Sequence, residues 1–163
     1  MERRSGFPTR KSPRLVDYDY SQASSYLVTI AVDDRTERFG SVTDGDMRLN
    51  GAGIMVEQAW RRIPHRFAGM ELDAYVVMPN HFHAIVFLGT DPASTPPALS
   101  TIIGVFKSET TVEYGRIVKA GPVPRYHRAL WQRSFHDRII RNERILALAR
   151  EYIADNPRKW HER

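Results

Sequence analysis

The chain has 163 residues, no cysteine and a formal net charge of +5. That length fits one domain with a sizeable hydrophobic core. The absence of thiols excludes disulfide frameworks, thiolate metal sites and cysteine nucleophiles, and suits a reducing compartment. No run approaches the ~18 apolar residues of a membrane span, and the basic opening MERRSGFPTRKSPR is not followed by the apolar stretch of a signal peptide. A soluble, cytoplasmic protein without membrane partners is expected. The positive charge favours a polyanionic partner, because each neutralised phosphate releases condensed counterions. Arg3, Arg4, Arg10, Lys11 and Arg14 crowd the first fifteen residues, and six arginines lie between Arg125 and Arg144. Surface arginines that merely keep a small protein soluble would read the same way at this level.

Residues 1–20 are basic and aperiodic and read as a flexible arm, leaving 21–163 as a single catalytic-sized domain. Ser25 to Val32 (SYLVTIAV) is rich in β-branched and aromatic residues and predicts a strand. The polar stretch with Gly40 and Gly45 reads as a surface connection. From Leu49 to Phe67, Val56, Trp60, Ile63 and Phe67 recur at helical spacing. Two apolar runs, Leu72 to Met78 and His81 to Leu88, flank Pro79 and Asn80, a pair suited to the centre of a tight turn, and predict a β-hairpin. After the breaker-rich GTDPASTPP, the residues Leu99, Ile102, Ile103, Phe106 and Thr110 predict a helix to about Val118. Beyond AGPVP, Arg128 to Ile140 reads as a strand, and Asn142 can cap a final helix from Glu143 to Asp155 that Pro157 stops. The order βαββαβ matches an α+β, ferredoxin-like antiparallel sheet with an added C-terminal helix, its helices covering one face of the sheet.

His81 and His83 are two apart on a predicted strand, so they project from one face with Cα atoms about 6.6 Å apart. Phe82 points the other way with Ala84, Val86 and Leu88, the side that anchors the strand. Two imidazoles so placed can converge on one ion, although a pair of half-exposed strand histidines has the same pattern. Tyr152 and Asn156 are four apart on the last helix and share a face. An Asn156 carboxamide could ligate an ion beside a Tyr152 nucleophile; equally, Tyr152 could continue the apolar stripe of Ile145, Leu148 and Ala149, and Asn156 could cap the helix before Pro157. His136 lies in a strand whose register the sequence leaves open.

Taken together, MPNHFHAIV, LWQRSFHDRIIRNERI and EYIADNP resemble the single-tyrosine HUH transposases, in particular the REP-associated tyrosine transposases. The opening YDYSQASSYLVTI, the LNGAG helix entry and the FKS of Phe106 to Ser108 extend the resemblance over nearly the whole chain. The resemblance implies that His81 and His83 are paired metal ligands, Asn156 the third ligand and Tyr152 the nucleophile. It implies cleavage and transfer of single-stranded DNA beside an imperfect hairpin, through a covalent 5′-phosphotyrosine that leaves a free 3′-hydroxyl. A phenol is a weak nucleophile near neutral pH unless its proton is removed and the phosphate is polarised, which a divalent ion assists. A nitrogen and oxygen ligand set with open positions suits Mg²⁺ or Mn²⁺, and two histidines would also accept zinc. Candidate DNA contacts, assigned by location, are Arg10, Lys11 and Arg14 on the arm, Lys107 on the second helix, and Arg133 and Arg138 near the active face. Phe7 and Tyr20 could stack on unpaired bases. The family includes monomers and homodimers. A domesticated protein that binds hairpin DNA without cutting it is the alternative, one that has no need of a nucleophile.

Overall fold

The computed structural model describes residues 10–11, 24–121 and 123–162. Its main sheet has five strands in the order β1-β7-β2-β6-β5. These are β1 (Arg10–Lys11), β2 (Ser24–Ala31), β5 (Met70–Met78), β6 (His81–Leu88) and β7 (His136–Ile140). A separate hairpin pairs β3 (Gly40–Thr43) with β4 (Asp46–Leu49). Three helices complete the fold: α1 (Gly51–Arg62), α2 (Leu99–Ala120) and α3 (Glu143–Asp155). All pairings in the main sheet are antiparallel. Without β1, the order β7-β2-β6-β5 is the split βαβ arrangement expected of βαββαβ. Among the described residues no helix is long and apolar enough to cross a membrane.

Strand parity sorts the core into two layers. Tyr26, Val28 and Ile30 of β2 and Phe82, Ala84 and Val86 of β6 pack with Trp60 of α1 and Ile102 and Phe106 of α2. The rings of Trp60, Phe82 and Phe106 lie 5.1–5.2 Å apart by centroid. Residues of the other parity, Leu27, Ile85 and Ile140, pack with Leu146, Ala149 and Ile153 of α3. The third helix therefore covers the opposite face, correcting the expectation that all helices share one side. The reason lies in β6, buried at seven of its eight positions. A strand apolar at both parities must be covered on both faces.

Three local differences from the sequence reading have identifiable causes. The Gly40–Gly45 stretch is a hairpin, because Asp44 (φ 53°) and Gly45 (φ 80°) both adopt the left-handed conformations of a two-residue turn whose twist matches its strands. Helix α1 ends at Arg62, ahead of a 3₁₀ turn at Ile63–His65 that carries Pro64. Most of the expected strand from Arg128 is irregular: Trp131 makes an isolated bridge to Val32, and pairing in β7 starts only at His136. The Lys107 ammonium donates to the carbonyls of Gln132 (2.7 Å), Arg133 (3.4 Å) and Ser134 (3.2 Å), which holds that backbone in a turn instead of a ladder.

Candidate active site on the third-helix face

His81 and His83 enter the site because β6 pairs on both sides. His81 lies opposite Ala31 of β2 and Met78 of β5, and His83 opposite Thr29 and Val76. Both are buried, at 7% and 3% exposure, so the half-exposed pair considered from sequence is not what the fold makes. Their rings sit 4.7 Å apart by centroid, nearly perpendicular at 78°. Buried imidazoles require partners for their polar atoms. His83 Nδ1 lies 2.8 Å from Thr29 Oγ1, and His81 Nδ1 lies 2.8 Å from Asn80 Oδ1.

Helix α3 presses its apolar stripe onto this face. Asn142 caps it by accepting from the Ile145 N–H at 2.9 Å, and Glu143 places negative charge in the first turn, where the helix dipole favours it. Leu146, Ala149, Ile153 and Asn156 are buried at the spacing of a single helical face. Tyr152 is half-buried and meets the His83 ring edge-on, with centroids 5.1 Å apart at 70°. Two turns on, Trp160 stacks on His81 at 5.9 Å and 27°. Fully buried Asn156 lies between these two contacts in sequence, its Nδ2 donating to the Tyr152 carbonyl at 2.9 Å. Its carboxamide oxygen is the atom of the kind that binds hard cations.

Two clasps set the helix's position. Arg150 grips Asp73 through Nε (3.1 Å to both carboxylate oxygens) and Nη2 (2.6 Å to Oδ2). Asp73 stands at the irregularity in β5, where the register shifts between Leu72 and Tyr75. Burial alone would push the Asp73 carboxyl up; the Arg150 guanidinium and the Ala74 N–H more than offset this and hold it below the usual carboxylate range. At the far end, His161 Nε2 donates to the Val42 carbonyl at 3.2 Å, joining the turn that bears Trp160 to the β3–β4 hairpin.

No family model matches the chain. An uncharacterised protein of Haemophilus influenzae is 31% identical over 169 residues, which span 97% of this chain and 93% of that protein. The chain belongs to the family of that protein. In three dimensions, the structure of the REP-associated tyrosine transposase bound to a REP hairpin superposes with a TM-score of 0.64 at 19% identity, over 90% of this chain and 74% of that one. A Deinococcus radiodurans structure assigned as a transposase superposes at 0.53 and 18% identity, over 87% and 95%. The α+β architecture is thus the fold found in these transposase structures.

The basic residues singled out from sequence divide by position. Arg138 is half-buried on β7 opposite Leu27, on the α3 face, and Arg133 is exposed in the turn before β7. The backbone of Arg10 and Lys11 forms β1 against Asp137 and His136. Arg14, Phe7, Tyr20 and the remainder of the 1–20 arm lie outside the described residues. Lys107 belongs to α2 on the other side of the sheet, and its ammonium donates to three backbone carbonyls and clamps the turn before β7. The register also places His136 on the α3 face, opposite Thr29 and one strand beyond His83.

Thr29, Asn80 and Trp160 join the candidate site only through the fold. In the sequence Asn80 has the signature of a turn former, and its one further signal is that it directly precedes His81. Thr29 offers one signal in the sequence: a hydroxyl set between Val28 and Ile30, in phase with Leu27 and Ala31.

Proposed function

We propose that this protein is a metal-dependent single-stranded DNA endonuclease and strand transferase that acts next to DNA hairpins through a covalent 5′-phosphotyrosine on Tyr152. The observation that carries the reading is the edge-on contact of Tyr152 with buried His83, within a fold found in transposases. The hairpin bound in the REP-associated transposase structure supports hairpin DNA as the partner.

His81, His83 and Asn156 would hold the metal. Among the described residues there is no group of three His, Cys, Asp or Glu side chains that could bind one. The proposed donor set is two imidazoles and a carboxamide, which would leave positions for phosphate oxygens and water. Such a set fits Mg²⁺ or Mn²⁺. When bound, the ion neutralises charge developing on the phosphate and orients it for in-line attack. Tyr152 contributes the attacking oxygen: its phenol gives up its proton to solvent as the bond to phosphorus forms and the bond from phosphorus to the 3′-oxygen breaks, and that oxygen takes up a proton to leave as a 3′-hydroxyl. Exchanging one phosphodiester for another conserves the bond for rejoining. Arg138 and Arg133 would neutralise flanking phosphates from β7 and its preceding turn.

The test is incubation with Mg²⁺ and end-labelled single-stranded hairpin DNA, followed by denaturing electrophoresis. Wild type should give a denaturation-resistant adduct, and Tyr152→Phe none. Cleavage without an adduct, or an adduct formed by Tyr152→Phe, overturns the tyrosine mechanism. Hairpin binding without cleavage under any divalent ion supports a non-cutting DNA-binding protein instead.

A further inference from the structure

We infer that Thr29 and Asn80 are positioning residues of the metal site, each holding one histidine ring so that its Nε2 takes the ion; this rests on the metal-dependent reading above. The Asn80 amide is oriented by its other end, since Nδ2 donates to the Arg35 carbonyl at 3.0 Å. Oδ1 is thereby turned to His81 Nδ1, 2.8 Å away. An amide oxygen only accepts, so Nδ1 carries the proton and the ring's lone pair lies on Nε2. Thr29 Oγ1 lies 2.8 Å from His83 Nδ1 and can accept in the same way. A partner on the distal ring nitrogen fixes the tautomer and rotation of a ligating histidine and raises its basicity.

Both supports sit on rigid backbone. Thr29 is the cross-strand partner of His83, so its hydroxyl stands beside that ring. Asn80 closes the turn between β5 and β6, and its own carbonyl accepts from the Val32 N–H at 2.9 Å. The alternative is that Thr29 and Asn80 merely satisfy buried ring nitrogens and contribute to stability alone. Valine would fill the Thr29 position equally well, which makes the hydroxyl separable from packing.

The experiment is a Mn²⁺ titration of the full chain without DNA, read by electron paramagnetic resonance, with thermal unfolding recorded on the same samples. Thr29→Val and Asn80→Ala should each lose about 10–100-fold in Mn²⁺ affinity. Thr29→Ser, which keeps the acceptor, should bind within a few-fold of wild type. Unchanged affinity in Thr29→Val or Asn80→Ala, whatever happens to thermal stability, overturns the role of that residue, and for Thr29 so does failure of Thr29→Ser to retain binding. If wild type does not bind Mn²⁺, or the His81→Ala/His83→Ala double variant binds as tightly as wild type, the metal reading fails and this inference with it.

Discussion

Helix α3 should undock from the sheet without unfolding the rest of the molecule, and Ile153→Ala should make this measurable. The helix is held by a small apolar layer, made among the described residues by buried Leu27, Ile85, Ile140, Leu146, Ala149 and Ile153, whereas α1 and α2 share the larger core on the other face. Ile153 is 3% exposed at the centre of that layer. Truncating a buried isoleucine to alanine costs about 2–5 kcal/mol, depending on how far the cavity collapses. A middle value of about 3 kcal/mol, at ~1.4 kcal/mol per decade, corresponds to roughly 100-fold. Native-state amide exchange should therefore show α3 amides about 100-fold less protected in Ile153→Ala. The control is Ile102→Ala, in the core of the opposite face. It should lower protection in β2 and β6 while leaving α3 unchanged, because a state with α3 undocked still retains the core that Ile102 supports. Equal loss of α3 protection in Ile102→Ala would refute the reasoning, since α3 would then open only when the whole domain unfolds. Because α3 carries Tyr152, adduct formation by Ile153→Ala should fail on warming before the β2 and β6 amides exchange.

Three further outcomes are expected. The depressed carboxyl of Asp73 contributes stability that is fully present above the unfolded carboxylate value, about 3.9, and is lost as pH falls through its lower native value. The difference in urea stability between wild type and Asp73→Asn should thus be constant from pH 7 to about 5 and shrink below about 4. Gly53→Ala would bring a Cβ to 2.2 Å from the Phe39 carbonyl oxygen, whereas a Cβ at Gly51 meets nothing within 4 Å. Overpacking of that kind costs about 1–3 kcal/mol, so Gly53→Ala should lower Tm by at least a few degrees while Gly51→Ala does not. Thr110→Val would leave the Trp131 indole N–H, now bonded to Thr110 Oγ1 at 2.8 Å, buried without its partner. This should cost about 1–3 kcal/mol, and adding Trp131→Phe should cost less than the two single changes summed, as a double-mutant cycle in urea would show.

Elements whose signal is local were legible in the sequence. The Asn142 cap and the bounds of α3 stand as expected, because a capping amide and a helical stripe act within a few residues. The Pro79–Asn80 turn and the common face of His81 and His83 follow from alternation along a strand. The Asp44–Gly45 hairpin signal is also local, but the polarity of its surroundings masks it as a surface connection. Features that depend on partners distant in the chain were not legible. Alternation puts the histidines on one face but does not say which face a helix covers, and only packing decided that α3 lies there and buries them. By sequence Lys107 is a basic residue of the second helix and a candidate DNA contact; only the fold shows the three carbonyls, 25 to 27 residues away, that it clamps. The ring nitrogen contacts of Thr29 and Asn80 depend equally on the tertiary fold: one on the pairing of β2 with β6, the other on an amide held by the Arg35 carbonyl 45 residues away. The sequence by itself determined most of the strands and helices and which residue types could do the chemistry. Tertiary structure alone decided which of them meet, since burial and hydrogen-bond geometry depend on all the neighbours at once.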